Sequence, residues 1–320
     1  MIEDNFSSSE KQEARKNGFI LLGKTGVGKS TLLNVIIDKE IAETKNSSSL
    51  NTKNTSVYYH KLKNGKMVAI LDTPGLSDLP PDIKNLYLKE IIQTIQDENI
   101  EIKGIFFLVD YISERFAHED QKALITYNNI LFPLENFWKY LVLIFTHYYC
   151  DPYEDEDEHK QMEKERDNRN KEVLLNIMKT KAEVSNISYY NECIMKYFNS
   201  YSPAKNIRQK ERNKKNKKEL EEIIHDLSKR EPLYLKYNLL TNNFYTYKEN
   251  NSYFKATLNI ISYYGLEMRP IKEIKLIIDK KEITRDEYSR LNNNISNILN
   301  EKKTSLEGKD YRSGKHCIIY

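Results

Sequence analysis

The chain has 320 residues, 39% of them hydrophobic, which is enough to bury the core of one sizeable domain and leave an appended region. Its 50 Lys and Arg residues against 47 Asp and Glu leave a net charge of +3, so overall charge argues against a nucleic-acid-binding protein. No apolar run reaches the roughly 18 residues that cross a bilayer, and the start lacks a signal-peptide pattern. The three cysteines form no C-x-x-C pair, which argues against a zinc site. We therefore expect a cytoplasmic protein.

Short apolar runs bounded by turn residues predict the strands of a sheet. After an N-terminal stretch, 1–16, that we expect to be flexible, such runs occupy 19–22, 67–71, 105–109, 141–145 and 194–198. Helical spacing lies between them, as in Leu86, Ile91 and Ile95. This alternation predicts an α/β, three-layer domain with a mostly parallel central sheet. Asn64-Gly65, a strong hairpin signal after the run 56–62, adds one antiparallel edge strand.

Three further stretches depart from this alternation of apolar strands and helices. Residues 45–55, rich in Ser, Asn and Thr, predict a mobile loop, and the dense charge run 153–171 predicts an exposed helix or loop inserted in the domain. The basic run 208–218 is followed by apolar residues at helical spacing, so we predict one long helix over 205–229 with its basic half in water. The first domain should therefore span 17–230.

The last ninety residues, 231–320, differ in composition and predict a small, partly β C-terminal extension. We expect two or three strands between 244 and 278, followed by a helix. Thr284 and Glu287 have the spacing of a capping box, and Ile283 and Tyr288 that of a hydrophobic staple.

A phosphate-binding motif follows the first predicted strand. The segment from Gly23 to Ser30 matches G-x-x-x-x-G-K-[ST] and precedes a predicted helix, which is the context the motif requires. Its glycines let backbone amides face phosphate oxygens, Lys29 supplies a counter-charge for the β- and γ-phosphates, and Ser30 supplies a hydroxyl for Mg²⁺. The predicted nucleotide contacts here are Lys24, Thr25, Gly26, Val27, Gly28, Lys29, Ser30 and Thr31.

A second motif, Asp72-Thr73-Pro74-Gly75, directly follows the strand 67–71. Asp72 stands where a second carboxylate must organise Mg²⁺, and the Gly75 amide can sense the γ-phosphate without an intervening side chain. This order of elements favours a switch-type GTPase over a nucleotide kinase.

The order of these motifs resembles the AIG/GIMAP family of GTPases. The resemblance rests on the two motifs above, on Arg115-Phe116-Ala117-His118-Glu119-Asp120, and on Phe145-Thr146-His147. It implies GTP or GDP with Mg²⁺ as ligands and a homodimer formed through the nucleotide face. It also implies a mobile threonine that meets Mg²⁺ and the γ-phosphate, for which Thr52 has the best spacing and Thr55 the second best.

Leu76 replaces the glutamine that orients water in small GTPases, so hydrolysis should be slow or depend on a partner subunit. The predicted catalytic residues are Lys29, Thr52 and Gly75, and His118 is a candidate to act across a dimer. A second hypothesis is a nucleotide-gated scaffold or membrane-associated assembly protein with negligible hydrolysis.

The guanine-recognition element departs from the usual Asn/Thr-Lys-x-Asp pattern. Thr146 and His147 fill its first two positions, but the nearest carboxylate, Asp151, comes one or two positions late. A loop bulge could restore its register, or Tyr148 or Tyr149 could hold the base by stacking. By resemblance, Asn199 could reach the base from the next strand end. This departure leaves a third hypothesis, an ATP-binding variant of the same fold.

Two sequence features raise the option of peripheral contact with the cytosolic face of a membrane. The basic run 208–218 could meet acidic headgroups, although a solvated helix face is the simpler interpretation. The C-terminal Cys317-Ile318-Ile319-Tyr320 resembles a prenylation motif, with an atypical last residue.

Overall fold

The computed structural model forms two compact units. One comprises Met1–Leu239 with Ile261–Ile274, and the other Leu240–Ile260 with Lys275–Tyr320. The residues that the structure describes are 6–40, 54–76, 81–111, 118–131, 135–147, 156–181, 193–198, 204, 206–233, 236–264 and 270–291.

A six-stranded sheet with the order β2-β3-β1-β4-β5-β6 forms the centre of the first unit. Its neighbouring strands are parallel except for the antiparallel pair β2 and β3. The Leu62 carbonyl accepts a bond from the Gly65 amide at 2.9 Å, and Gly65 has a φ of 86°, so a left-handed glycine closes the predicted hairpin. The strands are β1 (Gly18–Gly23), β2 (Ser56–Lys61), β3 (Met67–Asp72), β4 (Ile102–Asp110), β5 (Leu141–Thr146) and β6 (Ile194–Tyr197).

Helices cover both faces of this sheet. The apolar sides of α2 and α6 pack on one face, where Leu32 and Ile224 join a core with Leu21 and Ile70. On the opposite face the Tyr127 ring of α4 lies 6.0 Å from that of Phe107. The predicted three-layer α/β fold is therefore confirmed. The helices are α1 (Ser8–Arg15), α2 (Lys29–Ile37), α3 (Pro81–Asp97), α4 (His118–Ile130), α5 (Glu156–Asn176) and α6 (Ile207–Leu227).

Both charged stretches are helical. The run 153–171 falls largely within α5, and the predicted helix 205–229 is α6. In the described part of the chain, no helix is both long and apolar enough to cross a bilayer.

For residues 6–16, the N-terminal helix α1 corrects the expectation that 1–16 is flexible; residues 1–5 lie outside the described part of the chain. Ser7 accepts a bond from the Glu10 amide at 3.3 Å, and Glu10 accepts one from the Ser7 amide at 3.0 Å. Ala14 is fully buried, and the Arg15 guanidinium donates to Glu98 at 2.7 Å. A capping box, one buried alanine and an ion pair therefore hold a segment whose sequence is almost entirely polar.

Three long strands follow the first domain, in the order β7-β8-β9. Asn250 and Asn251, with φ angles of 47° and 66°, form the two-residue left-handed turn that joins antiparallel strands. Residues 285–291 are helical, and Thr284 accepts a bond from the Glu287 amide at 3.2 Å, as a capping residue does. The predicted domain boundaries, 17–230 and 231–320, stay a prediction from the sequence, because each of these three strands has residues in both compact units. The strands are β7 (Lys236–Glu249), β8 (Ser252–Tyr264) and β9 (Pro270–Ile283).

Candidate functional site

Glycines with positive φ angles shape the loop between β1 and α2. Gly23 has a φ of 144°, and a Cβ there would lie 2.6 Å from the Leu108 carbonyl oxygen, so only glycine fits. Gly28, also left-handed at 96°, is the N-cap of α2. The first amides of α2 have no partner within the helix, which makes this end of the helix suited to an anion.

Lys29 is a buried cation inside this loop, with 6% of its surface exposed. Its Nζ donates to the carbonyl oxygens of Gly23 at 3.1 Å and Lys24 at 2.9 Å. Burial lowers the pKa of Lys29 to about 8, and the nearby Asp72 carboxylate opposes that fall. A phosphate beside Nζ would supply the negative charge that this desolvated ammonium lacks.

Ser30 and Asp72 form the oxygen-donor pair of the site. The Ser30 hydroxyl donates to Asp72 Oδ2 at 2.8 Å. Asp72 is 2% exposed, and its other oxygen, Oδ1, is buried without a hydrogen-bond partner in the described residues. Burial raises the pKa of Asp72, while Lys29, the Ser30 hydroxyl and the Thr73 amide lower it. A hydroxyl and a carboxylate with a spare oxygen fit Mg²⁺, which prefers oxygen ligands and keeps several waters.

The Asp-Thr-Pro-Gly turn lies directly against the phosphate loop. The Thr73 hydroxyl donates to the Leu21 carbonyl at 2.6 Å, which fixes the turn to β1. A Cβ on Gly75 would lie 2.2 Å from the backbone nitrogen of Thr25, so the two loops approach more closely than any side chain allows. Leu76 is 4% exposed, and its apolar side chain offers no polar group to a water molecule.

Thr146 ties the end of β5 to the phosphate loop. Its buried hydroxyl lies 2.7 Å from the Val27 carbonyl oxygen and 3.2 Å from that of Val109. These contacts give Thr146 a positioning role beside the loop. Its direct contact with a nucleotide base stays a prediction.

His147 adopts an unusual backbone conformation, with a φ of 53°. Its Nδ1 lies 3.1 Å from Asp110 Oδ1, at the C-terminal end of β4. Sequence reasoning missed Asp110. The available signal was an acid at the C-terminal end of a buried parallel strand, because α/β proteins bind ligands at that edge of the sheet.

Aromatic rings line the other side of β5. The Tyr197 ring stacks on Phe145 at 4.9 Å and meets Tyr111 edge-on at 5.7 Å.

The predicted site residues Thr52, Asp151 and Asn199 lie outside the described residues, as do Tyr148 and Tyr149.

The structure thus brings the phosphate-side predictions together. Residues 24–30 form one loop and the start of α2, with Thr31 in the first helical turn. Asp72 and Gly75 reach this loop from β3, and Thr146 reaches it from β5. The described residues therefore include the phosphate loop of the predicted site and two of its three predicted metal ligands, Ser30 and Asp72.

Comparison with known proteins places this arrangement in a family. The model of the AIG1 family matches residues 17–230, about two thirds of the chain. Immune-associated nucleotide-binding protein 13 of Arabidopsis thaliana is 27% identical over 146 residues, 46% of this chain and 42% of that protein. Immune-associated nucleotide-binding protein 3 is 30% identical over 140 residues, 43% of this chain and 41% of that protein. The match thus spans about two fifths of these relatives' length.

Solved structures of Toc33 from Arabidopsis thaliana share the fold. A dimerization-deficient mutant aligns with a TM-score of 0.53 at 16% identity, covering 71% of this chain and 96% of that chain. The complex of Toc33 with Mg²⁺ and GMPPNP aligns with a TM-score of 0.52 at 17% identity, covering 70% and 94%. The family match and the geometry of the phosphate loop agree with the motif order, and the chain belongs to the AIG1 family.

Proposed function

We propose that this protein binds GTP and GDP with Mg²⁺, hydrolyses GTP slowly to GDP and phosphate, and forms nucleotide-dependent dimers or larger assemblies. The observation that carries the proposal is the Ser30–Asp72 pair beside buried Lys29, with the spare Asp72 oxygen. These groups fit a magnesium-bound triphosphate, and the Toc33 neighbours were crystallised with GDP or GMPPNP and Mg²⁺.

Each residue then has a distinct role in the proposed reaction. The loop amides and Lys29 hold the phosphates, while Ser30 and Asp72 hold Mg²⁺, with Thr52 as the predicted third ligand. Mg²⁺ neutralises charge on the phosphate oxygens when it is bound. The Gly75 amide, on the turn beside the phosphate loop, would donate to a bound γ-phosphate, so hydrolysis would remove its acceptor.

Slow hydrolysis follows from what surrounds the γ-phosphate position. Leu76 is buried and apolar, so it cannot orient an attacking water. A group from a second subunit could do so. His118, exposed at the start of α4, is our candidate for that role. The family relationship supports dimerisation, which is described as important for the GTPase activity of atToc33 and psToc159.

Nucleotide competition tests the ligand. Fluorescent GDP is titrated into the protein with Mg²⁺ and displaced separately by GTP and ATP, and the titration is repeated with EDTA. We expect selective displacement by GTP, and we expect Asp72→Asn to lose the Mg²⁺ dependence while the domain stays folded. Equal displacement by ATP would support the ATP-binding alternative, and Asp151→Asn would show whether that carboxylate selects guanine.

Sedimentation with GDP and with a non-hydrolysable GTP analogue tests the output. We expect dimers only with the analogue, and turnover per subunit that rises with protein concentration. His118→Ala should reduce this rise without weakening nucleotide binding. Assembly without measurable turnover at any concentration would favour a nucleotide-gated scaffold instead. A cytoplasmic location with peripheral membrane contact, and no nucleic-acid partner, completes the proposal.

A further inference from the structure

The N-terminal half of α6 presents an unpaired basic face. Five of its side chains are exposed: Arg208, Lys210, Lys214, Lys215 and Lys218. Among the residues that the structure describes, none of the five takes part in an ion pair, whereas the neighbouring Lys217 is paired with Asp38 at 3.3 Å. Their charges are therefore not neutralised by the domain itself.

The structure of α6 fixes the direction of this face. Asn206 caps the helix by accepting a bond from the Gln209 amide at 2.9 Å. Further along, Leu220, Ile224 and Leu227 are buried in the core of the domain. Because the apolar side of α6 packs on the core, the basic side of its first three turns faces solvent.

An exposed apolar side chain lies at the N-terminal end of this basic face. Ile207 is 74% exposed, the most exposed large apolar residue in the described part of the chain. Positions three, four, seven, eight and eleven residues apart share one side of a helix, so Ile207 lies in line with Lys214, Lys215 and Lys218. Glu211 is the one acidic residue on this stretch of the face.

A positive surface with a protruding aliphatic group fits an anionic lipid bilayer. Lysines attract acidic headgroups, and an isoleucine gains by entering the headgroup boundary. A nucleic-acid duplex would meet the same charge but would offer nothing to Ile207. Because the overall charge of the chain is nearly balanced, attraction to an anionic surface must come from a local basic face such as this one.

We propose that the exposed face of α6 formed by Ile207, Arg208, Lys210, Lys214, Lys215 and Lys218 docks on an anionic membrane surface. This deepens the membrane contact within the proposed function by naming the surface and its lipid class. The face uses none of the nucleotide-binding residues, so its test is separate from that of hydrolysis.

Vesicle co-sedimentation of the whole chain tests the proposal. Phosphatidylcholine vesicles with about one third phosphatidylserine are compared with pure phosphatidylcholine vesicles, at low and high salt. We expect binding to the anionic vesicles only, and loss of most binding at high salt. Because each lysine near such a surface contributes about fivefold, equivalent to about 1 kcal/mol, the triple variant Lys214→Gln, Lys215→Gln, Lys218→Gln should bind roughly a hundredfold more weakly.

A charge-matched control separates position from net charge. The variant Lys16→Gln, Lys164→Gln, Lys179→Gln removes the same charge from exposed lysines outside α6 and should bind the vesicles nearly as the parent does. Ile207→Ser should weaken binding about fivefold, since only part of that side chain would be buried. All variants should keep parent affinity for fluorescent GDP, which shows that the domain remains folded.

Three results would overturn the inference. The first is equal loss of vesicle binding in both triple variants, which would mean general charge attraction. The second is unchanged binding in the α6 variant. The third is binding of a nucleic-acid duplex through these lysines with no binding to vesicles. Failure of GTP hydrolysis in any of these proteins would bear on the proposed function and not on this surface.

Discussion

Replacement of Lys29 by methionine should abolish nucleotide binding and yet stabilise the nucleotide-free protein. Methionine keeps the aliphatic volume of the lysine stem and removes its charge. The side chain is almost completely buried, and its ammonium meets two backbone carbonyls and one carboxylate neighbour. Without a phosphate, the fold therefore holds a charge that water would solvate better.

The size of this effect follows from the pKa of Lys29. A fall from its ordinary 10.5 to about 8 disfavours the charged form in the fold by about 3 kcal/mol. The hydrogen bonds to Gly23 and Lys24 offset part of that, at about 1 kcal/mol each. We expect Lys29→Met to raise the free energy of unfolding at neutral pH by about 1 kcal/mol.

The pH dependence of stability gives an independent test of whether charged Lys29 destabilises the fold. Because the folded pKa lies below the unfolded one, the destabilisation is fully present below pH 8 and is relieved as Lys29 loses its proton above that value. Stability of the wild type relative to the variant should therefore rise between pH 8 and 10.5, by about 2 kcal/mol at about pH 9.5.

Urea unfolding of EDTA-washed, nucleotide-free protein measures both effects, with Lys39→Met as the control at an exposed lysine beyond the same helix. GDP with Mg²⁺ at a hundred times its dissociation constant should stabilise the wild type by about 2.7 kcal/mol and leave Lys29→Met unchanged. If the variant instead loses more than about 1 kcal/mol without nucleotide, Lys29 holds the loop together and the desolvation argument is wrong.

Two other positions make separate predictions. Gly75→Ala places a Cβ 2.2 Å from the Thr25 nitrogen and should therefore displace the turn. In a competition titration, GTP affinity should fall about tenfold, equivalent to about 1.4 kcal/mol, while GDP affinity should change little. Thr146→Val leaves the Val27 carbonyl without its donor and should cost about 1–3 kcal/mol in urea unfolding, while Thr146→Ser keeps the hydroxyl and most of the stability. Unchanged unfolding of the valine variant would show that the contact contributes nothing.

The fold was predictable because its sheet is buried on both faces. Strands such as β1 and β5 are short apolar runs bounded by turn residues, and they are fully buried in the structure. The edge hairpin was equally clear, since Asn64-Gly65 specifies a tight turn.

The helix α1 was not predictable from periodicity, because its stability comes from partners far away in sequence. Ala14 is the only apolar residue of α1, and Arg15 finds Glu98 only after the chain has folded. The capping pair Ser7 and Glu10 was the one local signal, and a capping box without an apolar stripe is weak alone.

The two halves of the nucleotide site follow different physical rules, which is why the sequence predicts one better than the other. Phosphate binding depends on backbone amides, so glycine spacing and a single lysine reveal it directly. Base selection depends on where side chains of a loop end up, and a shift of one or two residues changes which carboxylate meets the base. Asp151 is therefore a candidate base ligand on sequence spacing alone, whereas the hydrogen bonds of Lys29 fix its position in the phosphate loop.

Thr146 explains how these halves can vary independently. Its hydroxyl ties the end of β5 to Val27 of the phosphate loop, so the phosphate half is anchored before the base loop begins. His147 then turns into the left-handed region and engages Asp110 of β4. Beyond this fixed pair, the chain can lose or shift a base contact without disturbing Lys29. A substitution that changes the base preference of this protein should therefore leave phosphate and Mg²⁺ binding intact.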